Sequence, residues 1–366
     1  MLYNNLPQTR SQCSTEDLVH FTLSKKIFFL IAFAITFNVN SQSFTGNELK
    51  NGPIAQKNKS VIFLAADLKN GGITSVYRSF EKAAKLLGWK ITIKNGMGKT
   101  SEQSRIFEEA ISGKPDGIIL GGLQSTAFKK EIQTAKEKNI ALVGWHASEK
   151  AGPTKDLFAN ITTDPREVAK ITAEFVIKDA IINKANLGII LFNDSQFAIA
   201  NKKIKTIIDF IEACKGYKNC KVLSVENIPI SEADKTIPTI VPKLIEKYGN
   251  HWTYSIGIND IYFDTINLPL LQAGRRDIRN VSAGDGSLTA LSRISNGKSQ
   301  QIGTIAEPLK LQGFQLADEL NRAFANHKPS EFISKPILVT TELLQEKSGL
   351  DVETDIEEIY TSIWFK

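Results

Sequence analysis

The sequence predicts an α/β protein made of two similar halves, each a parallel sheet covered on both faces by helices. Apolar runs of strand length alternate with amphipathic helical stretches from residue 61 to beyond residue 300. The alternation starts afresh near residue 164, which divides the chain in two. Its 366 residues, 42% hydrophobic and 23% charged, are enough for two cores of moderate size.

Taken in order, Val61 to Ala65 reads as a buried strand, and Val76, Phe80, Ala83 and Leu87 then recur at helical spacing. The unit repeats through a strand at Ile91 to Ile93, a helix opened by a Thr100 to Gln103 capping pattern, a strand at Gly117 to Leu120, a helix, and a strand at Ile140 to Val143. The second series opens at Asp164-Pro165, a cap followed by a favoured first helical residue. It continues through the strand Leu187 to Phe192, the helix Gln196 to Ala213 and the strand Lys221 to Val225. Further strands are expected at Tyr254 to Ile258, Val281 to Ala283 and Gln301 to Ala306, then a helix from Pro308 to Ala325.

The formal charge of +6 is spread as mixed Lys, Arg, Asp and Glu, so no basic block marks a nucleic-acid surface. Near the start, Lys25 and Lys26 precede the apolar run Ile27 to Phe37, and Val39-Asn40-Ser41 offers small residues for cleavage. This pattern predicts export, with residues 1–41 as a signal peptide, a mature start close to Gln42 and a periplasmic location. The run is shorter than the roughly 20 apolar residues a bilayer span needs. The segment before Lys25 is long for a signal, which leaves a start downstream of Met1 or an uncut anchor as alternatives. No Cys follows the run, so no lipid anchor is expected. Cys13 falls in the leader; Cys214 and Cys220 are expected to pair in an oxidising compartment, pinning one turn by about 2 kcal/mol.

In an open α/β sheet the residues just beyond the strands' carboxyl ends face the ligand. Those positions hold Asp67 and Asn70, Trp145 and His146, Asn193 and Asp194, Asn259 and Asp260, Asp285, and Glu307. Any one of them could be a helix cap. Catalytic signatures are missing. Gly98-Lys99-Thr100 lacks the glycine five residues earlier that a phosphate loop needs, Gly121-Gly122 lacks the third glycine of a dinucleotide fingerprint, and no Gly-x-Ser-x-Gly elbow occurs. His20, His146, His251 and His327 share no metal-ligand spacing. The sequence therefore predicts a binding protein rather than an enzyme, with no cofactor and no metal.

From residue 59 to about 345 the chain resembles the sugar-binding branch of the type I periplasmic binding proteins, the ribose-binding-protein-like group. The resemblance rests on an ordered set: Ser60 to Lys69, Leu86-Leu87-Gly88-Trp89, Pro115 to Leu120, Lys138 to Val143, Gly257-Ile258-Asn259-Asp260, Gly284-Asp285-Gly286 and Thr304 to Pro308. It implies two Rossmann-like lobes joined by three chain crossings, serving as the substrate-binding protein of an ABC transporter. It further implies that Asn70, Asn259 and Asp285 read the hydroxyls of a sugar or polyol, that Glu307 stands at the hinge, and that Asn201 or Lys202 lies near a cationic position of the family. Two departures stand out. The family's aromatic pair after the first loop is replaced by Gly72 and Ile73, and an Asp-Arg pair after the fourth strand by His146 and Ala147.

The expected ligand-binding set is Asp67, Asn70, Trp145, His146, Asn201, Asn259, Asp285 and Glu307, with Trp145 offering a flat face to sugar C–H groups. An amine is the alternative ligand, since carboxylates outnumber certain cations in that set. The expected lobes are residues 59–161 plus 308–335 and residues 162–307 plus 336–345, preceded by a linker over 42–58 and followed by a tail over 346–366. In the tail Ile356, Ile359, Tyr360 and Trp364 are spaced to pack as a helical stripe. The expected partner is the transporter's membrane permease, with a sensor kinase or chemoreceptor as the alternative, and the chain is expected to be a monomer.

Overall fold

The structure is a computed structural model and describes residues 52–214, 220–346 and 355–366. The proposed signal peptide, its cleavage site, Cys13 and the first part of the linker lie outside the described residues. No helix among the described residues is long and apolar enough to cross a membrane.

The first lobe's sheet is fully parallel, in the order β2-β1-β3-β4-β5. Its strands are β1 (Ser60–Ala65), β2 (Lys90–Asn95), β3 (Gly117–Gly121), β4 (Ala141–Trp145) and β5 (Ala159–Ile161). Between them run α1 (Gly71–Leu86), α2 (Thr100–Ser112) and α3 (Lys129–Glu137). Every residue of β3 is buried, as a strand covered on both faces requires.

The second sheet is ordered β11-β10-β9-β8-β6-β7 and is parallel except for its edge strand β11. Its strands are β6 (Gly188–Asn193), β7 (Lys221–Asn227), β8 (Tyr254–Gly257), β9 (Arg279–Ser282), β10 (Gln301–Ala306) and β11 (Ile337–Thr340). They alternate with α4 (Pro165–Ile182), α5 (Ala198–Ala213), α6 (Ala233–Tyr248), α7 (Tyr262–Gln272) and α8 (Leu288–Asn296). Strand order reverses between β1 and β3 in one sheet and between β6 and β8 in the other, which opens a crevice at the carboxyl edge of each.

The chain passes from the first sheet to the second between Ile161 and Pro165, and returns at Glu307 into α9 (Leu309–Phe324), whose Leu311, Phe314 and Leu320 belong to the first core. It crosses a third time between α9 and β11. After α10 (Thr341–Glu346), the closing helix α11 (Ile356–Trp364) buries Ile356, Tyr360, Ile363 and Trp364 in the first core, while Ile359 is partly buried against it. Trp364 Nε1 donates to Asp318 of α9 at 2.9 Å, and its carbonyl accepts the Ala55 N–H at 2.9 Å. The stretch after Gly52 is thus docked: Gln56 N–H donates to Asn321 Oδ1 at 2.8 Å, and Trp89 Nε1 donates to the Gln56 carbonyl at 2.6 Å.

Local details both agree with and depart from the sequence reading. Asp164 caps α4, accepting the Arg166 N–H at 2.8 Å with Pro165 as first helical residue. The Thr100 to Gln103 capping box does not form, because Thr100 is already helical and Gln103 Nε2 reaches instead to the Ala66 carbonyl at 3.3 Å. The Cys214–Cys220 disulfide is also not found. Both thiols are free, and the Cys220 thiol donates to the Ile211 carbonyl in the last turn of α5 at 3.4 Å. The two side chains are nonetheless neighbours: burial, and after it the hydrogen bond with Cys214, pushes the Cys220 thiol up, but the sulfurs are not at bonding distance.

Candidate functional site

The first lobe contributes the loop after β1. Asn70 caps α1, its Oδ1 accepting the N–H groups of Gly72 at 2.8 Å and Ile73 at 3.3 Å. The cap fixes the side chain and leaves Nδ2 as the group to offer a ligand. After β4 the backbone turns through a left-handed conformation at His146 (φ 50°), folding its imidazole over the Trp145 indole with centroids 3.9 Å apart and planes 6° apart. Trp145 is buried, its Nε1 donating to Gln312 Oε1 at 2.7 Å. One face of the indole is therefore covered by His146, so the ring is not the open platform the sequence suggested.

The second lobe contributes the loops after β8 and β9. Asn259 Nδ2 donates to Asp285 Oδ2 at 2.6 Å, and its Oδ1 accepts the Ile261 N–H at 3.0 Å. Asp260 Oδ2 accepts three successive backbone N–H groups, from Asp285, Gly286 and Ser287, at 3.1, 2.8 and 3.0 Å. Its other oxygen accepts from Gln301 at 2.9 Å. Asp285 does not cap the next helix; Ser287 does, through the Ala290 N–H. The Asp285 carboxylate is left to face the other lobe.

Asn70, Trp145, His146, Asn259 and Asp285 line one cavity, together with Ile73 and Gly122 of the first lobe and Phe197, Ala200, Lys203 and Ile230 of the second. Asp67 lies in a second cavity with Gln103, Gln124 and Asp194, and the two share Asn70, Ile73, Phe197 and Ile230 as a common wall. Asp194 also holds a loop, accepting the N–H groups of Gln196 at 3.1 Å and Ile230 at 2.9 Å. Glu307 does not line the cavity. It stands behind His146, with Oε1 3.3 Å from His146 Nε2. Asn201 is not in the cavity either; it is exposed and braces the β6–α5 loop, bonded to Asn193 at 3.0 Å and to the Ser195 carbonyl at 2.9 Å.

The cation that belongs here is Lys203, which the sequence reading missed. It is 3% exposed, and its Nζ donates to the Ala283 carbonyl at 2.6 Å, just before the Asp285 loop. The buried residues of α5 are Ile199, Ala200, Lys203, Ile204, Ile207 and Ile211, so Lys203 interrupts an otherwise apolar stripe. That interruption was the available signal, and helical geometry turns Asn201 to another face.

Burial drives the Asp285 carboxyl up to about 6, against the pull of His146 and Lys203 and with the support of Glu307 and Asp260. Glu307 is buried too, but the nearby His146 and Lys203 and the Thr163 hydroxyl outweigh that burial and hold it down at about 2. The two carboxyls are thus shifted in opposite directions, and beside them Asn70 Nδ2 and the Lys203 ammonium stand as donors. Such a lining offers both donors and acceptors to a ligand with hydroxyl groups.

The lobes meet around the site through Gly71 and Gly72. A Cβ on Gly71 would lie 2.7 Å from Ser287 Cβ, and one on Gly72 would overlap Asp285 Oδ2. The replacement of the family's aromatic pair by Gly72 and Ile73 therefore coincides with a close approach of the second-lobe loop. At the rim, Lys69 Nζ donates across to the Ser231 carbonyl and to Asp234, each at 3.2 Å.

The profile of the periplasmic binding protein domain family matches residues 61–328. No curated protein matches the chain by sequence. Among solved structures, a 5-methylthioribose transporter solute binding protein from Thermotoga lettingae, in complex with 5-methylthioribose, superposes with a TM-score of 0.71 at 14% identity, over 84% of this chain and 93% of its own. A sugar ABC transporter protein from Yersinia enterocolitica gives a TM-score of 0.70 at 17% identity, over 84% and 96%. An ABC transporter solute binding protein from Agrobacterium vitis with bound allitol gives 0.66 at 16%, over 79% and 98%. At these identities the likeness is one of fold.

Proposed function

Since the chain belongs to the periplasmic binding protein domain family, we propose that it captures a small polar ligand, a sugar or polyol, between its lobes and delivers it to the permease of an ABC transporter. One observation carries the reading. Asn259 and Asp285 of one lobe meet Asn70 and His146 of the other around a single cavity, so a ligand there completes the contact between the lobes. The hydroxyl-rich ligands named for the Agrobacterium vitis and Thermotoga lettingae proteins support the same class. The reading includes export to the periplasm, a monomeric receptor, and recognition without chemistry. Within it Asn70, His146, Asn259, Asp285 and Lys203 form the inner set, and Asp67 belongs to the second cavity.

A thermal-shift screen of pentoses, hexoses, polyols and amino sugars tests it. A ligand at one hundred times its dissociation constant stabilises the folded form by about 2.7 kcal/mol. The Asp285→Ala variant should lose about 2–3 kcal/mol of affinity for the compound found, the worth of a charge-assisted hydrogen bond. If no compound shifts the melting temperature, the reading fails.

A further inference from the structure

We propose that Gln312 is a positioning residue that ties the three inter-lobe crossings to one another and to the wall of the ligand cavity. Its side-chain amide is fully buried and uses both ends. Nε2 donates to Glu307 Oε2 at 2.7 Å and to Ser334 Oγ at 3.1 Å, while Oε1 accepts from Trp145 Nε1 at 2.7 Å. Glu307 Oε1 in turn accepts from the Thr163 hydroxyl at 2.7 Å. Thr163 lies on the first crossing, between β5 and α4; Glu307 lies on the second, between β10 and α9; Ser334 lies on the third, between α9 and β11.

The chemistry fixes the amide's orientation. An indole N–H can only donate and an ionised carboxylate can only accept, so the amide oxygen must face Trp145 and its nitrogen must face Glu307. Thr163, Glu307, Ser334 and Trp145 are all buried, so no bond in this knot is shared with bulk solvent. Rotation of the lobes changes backbone dihedrals in the crossings, and three crossings held by one amide turn as a unit. His146 connects the knot to the cavity it lines, because its ring stacks on Trp145 and its Nε2 faces Glu307.

The proposal rests on reading the two lobes as jaws that move, and its test separates the two claims. Spin labels are placed on cysteines at positions 130 in α3 and 205 in α5, both well exposed, with the native cysteines changed to serine. Inter-lobe distances are then measured across the compound screen by electron–electron double resonance. The wild-type chain should show narrow distances that switch with ligand, whereas Gln312→Leu should add a second, longer population that ligand fails to remove. Thr163→Val, which cuts one arm of the knot and keeps its shape, should broaden the distances to a smaller degree should Gln312→Leu not fold. Leu320→Ala, a core truncation on the same helix, controls for lost stability: it should lower the melting temperature and leave the distances narrow. Narrow, switching distances in both Gln312→Leu and Thr163→Val would overturn the assignment to Gln312 while leaving the jaws intact. A single wild-type distance under every compound would overturn both.

Discussion

Asp260 holds Asp285 in position without touching its side chain. One oxygen of Asp260 gathers the backbone N–H groups of residues 285, 286 and 287, and this leaves the Asp285 carboxylate pointing into the cavity beside Asn259. Asp260→Ala should therefore damage both stability and binding. Losing three buried N–H partners is expected to cost about 2–4 kcal/mol in urea unfolding, and calorimetry should show weakened affinity as well. Unchanged stability would mean that the loop holds its shape unaided.

Gly72→Ala should separate closure from folding. Gly72 is the second residue of α1, where alanine favours the helix by up to about 1 kcal/mol, yet its methyl would collide with the Asp285 carboxylate when the lobes meet. The expected outcome is an unchanged or higher melting temperature without ligand and at least about a tenfold loss of affinity, or 1.4 kcal/mol. Equal affinity for the variant and the wild type would show that the bound state does not bring these residues together.

Lys203 and Asn201 should differ sharply in substitution. Lys203→Met keeps much of the length and apolar stem but removes the cation beside Asp285 and the bond to Ala283, and titration calorimetry should register a loss of about 2 kcal/mol or more. Asn201→Ala removes a bond to the end of β6 and one to the Ser195 carbonyl, neither of which reaches the cavity, so the affinity should change by only about 0.5 kcal/mol. The reverse ranking would place the binding determinant of α5 on the face that carries Asn201, not on the one that carries Lys203.

The raised carboxyl of Asp285 predicts a stability that depends on pH in a definite direction. The folded state favours the protonated form, so this contribution is complete below the ordinary value of 3.8 and is lost as pH rises through about 6. Its size is on the order of 2–3 kcal/mol. Glu307 works oppositely: its contribution is present above the ordinary 4.5 and disappears as pH falls through about 2. Asp285→Asn should remove the decline between pH 4 and 6, which denaturant midpoints across that range will show. A variant curve parallel to the wild type would contradict the assignment.

Trp364 anchors the closing helix. Its ring lies parallel to Phe314, 6.2 Å between centroids, and its Nε1 bonds to Asp318. Trp364→Ala should cost about 3–5 kcal/mol, as truncation of a buried aromatic does, while leaving ligand affinity unchanged in the folded fraction. A loss under 1 kcal/mol would make the helix an ornament of the lobe.

The layered fold is legible in the sequence because central strands covered on both faces must be apolar, as Gly117–Gly121 is throughout and Gly188–Asn193 is up to its last residue. The three-residue β5 and the four-residue edge strand β11 are not, being too short to carry a period. The site divides in the same way. Asn70, His146, Asn259 and Asp285 follow strands, and topology alone brings such positions to the crevice. Lys203 sits inside a helix, where only its intrusion into an apolar stripe distinguishes it. Asp260 and Glu307 also follow strands, but one is committed to backbone N–H groups and the other to Thr163 and Gln312 at the chain crossings, and neither commitment leaves a mark in the order of residues.

The docking of the stretch after Gly52 against Trp364 has a practical meaning for anyone building a biosensor from this protein. Both ends of the described chain ride on the same lobe, so fluorophores attached near Gly52 and Lys366 would keep a constant separation through the proposed closure of the lobes. A reporter of closure needs one fluorophore within the second lobe, in an exposed stretch such as the α8–β10 turn around Gly297 and Lys298, where an insertion leaves both cores untouched.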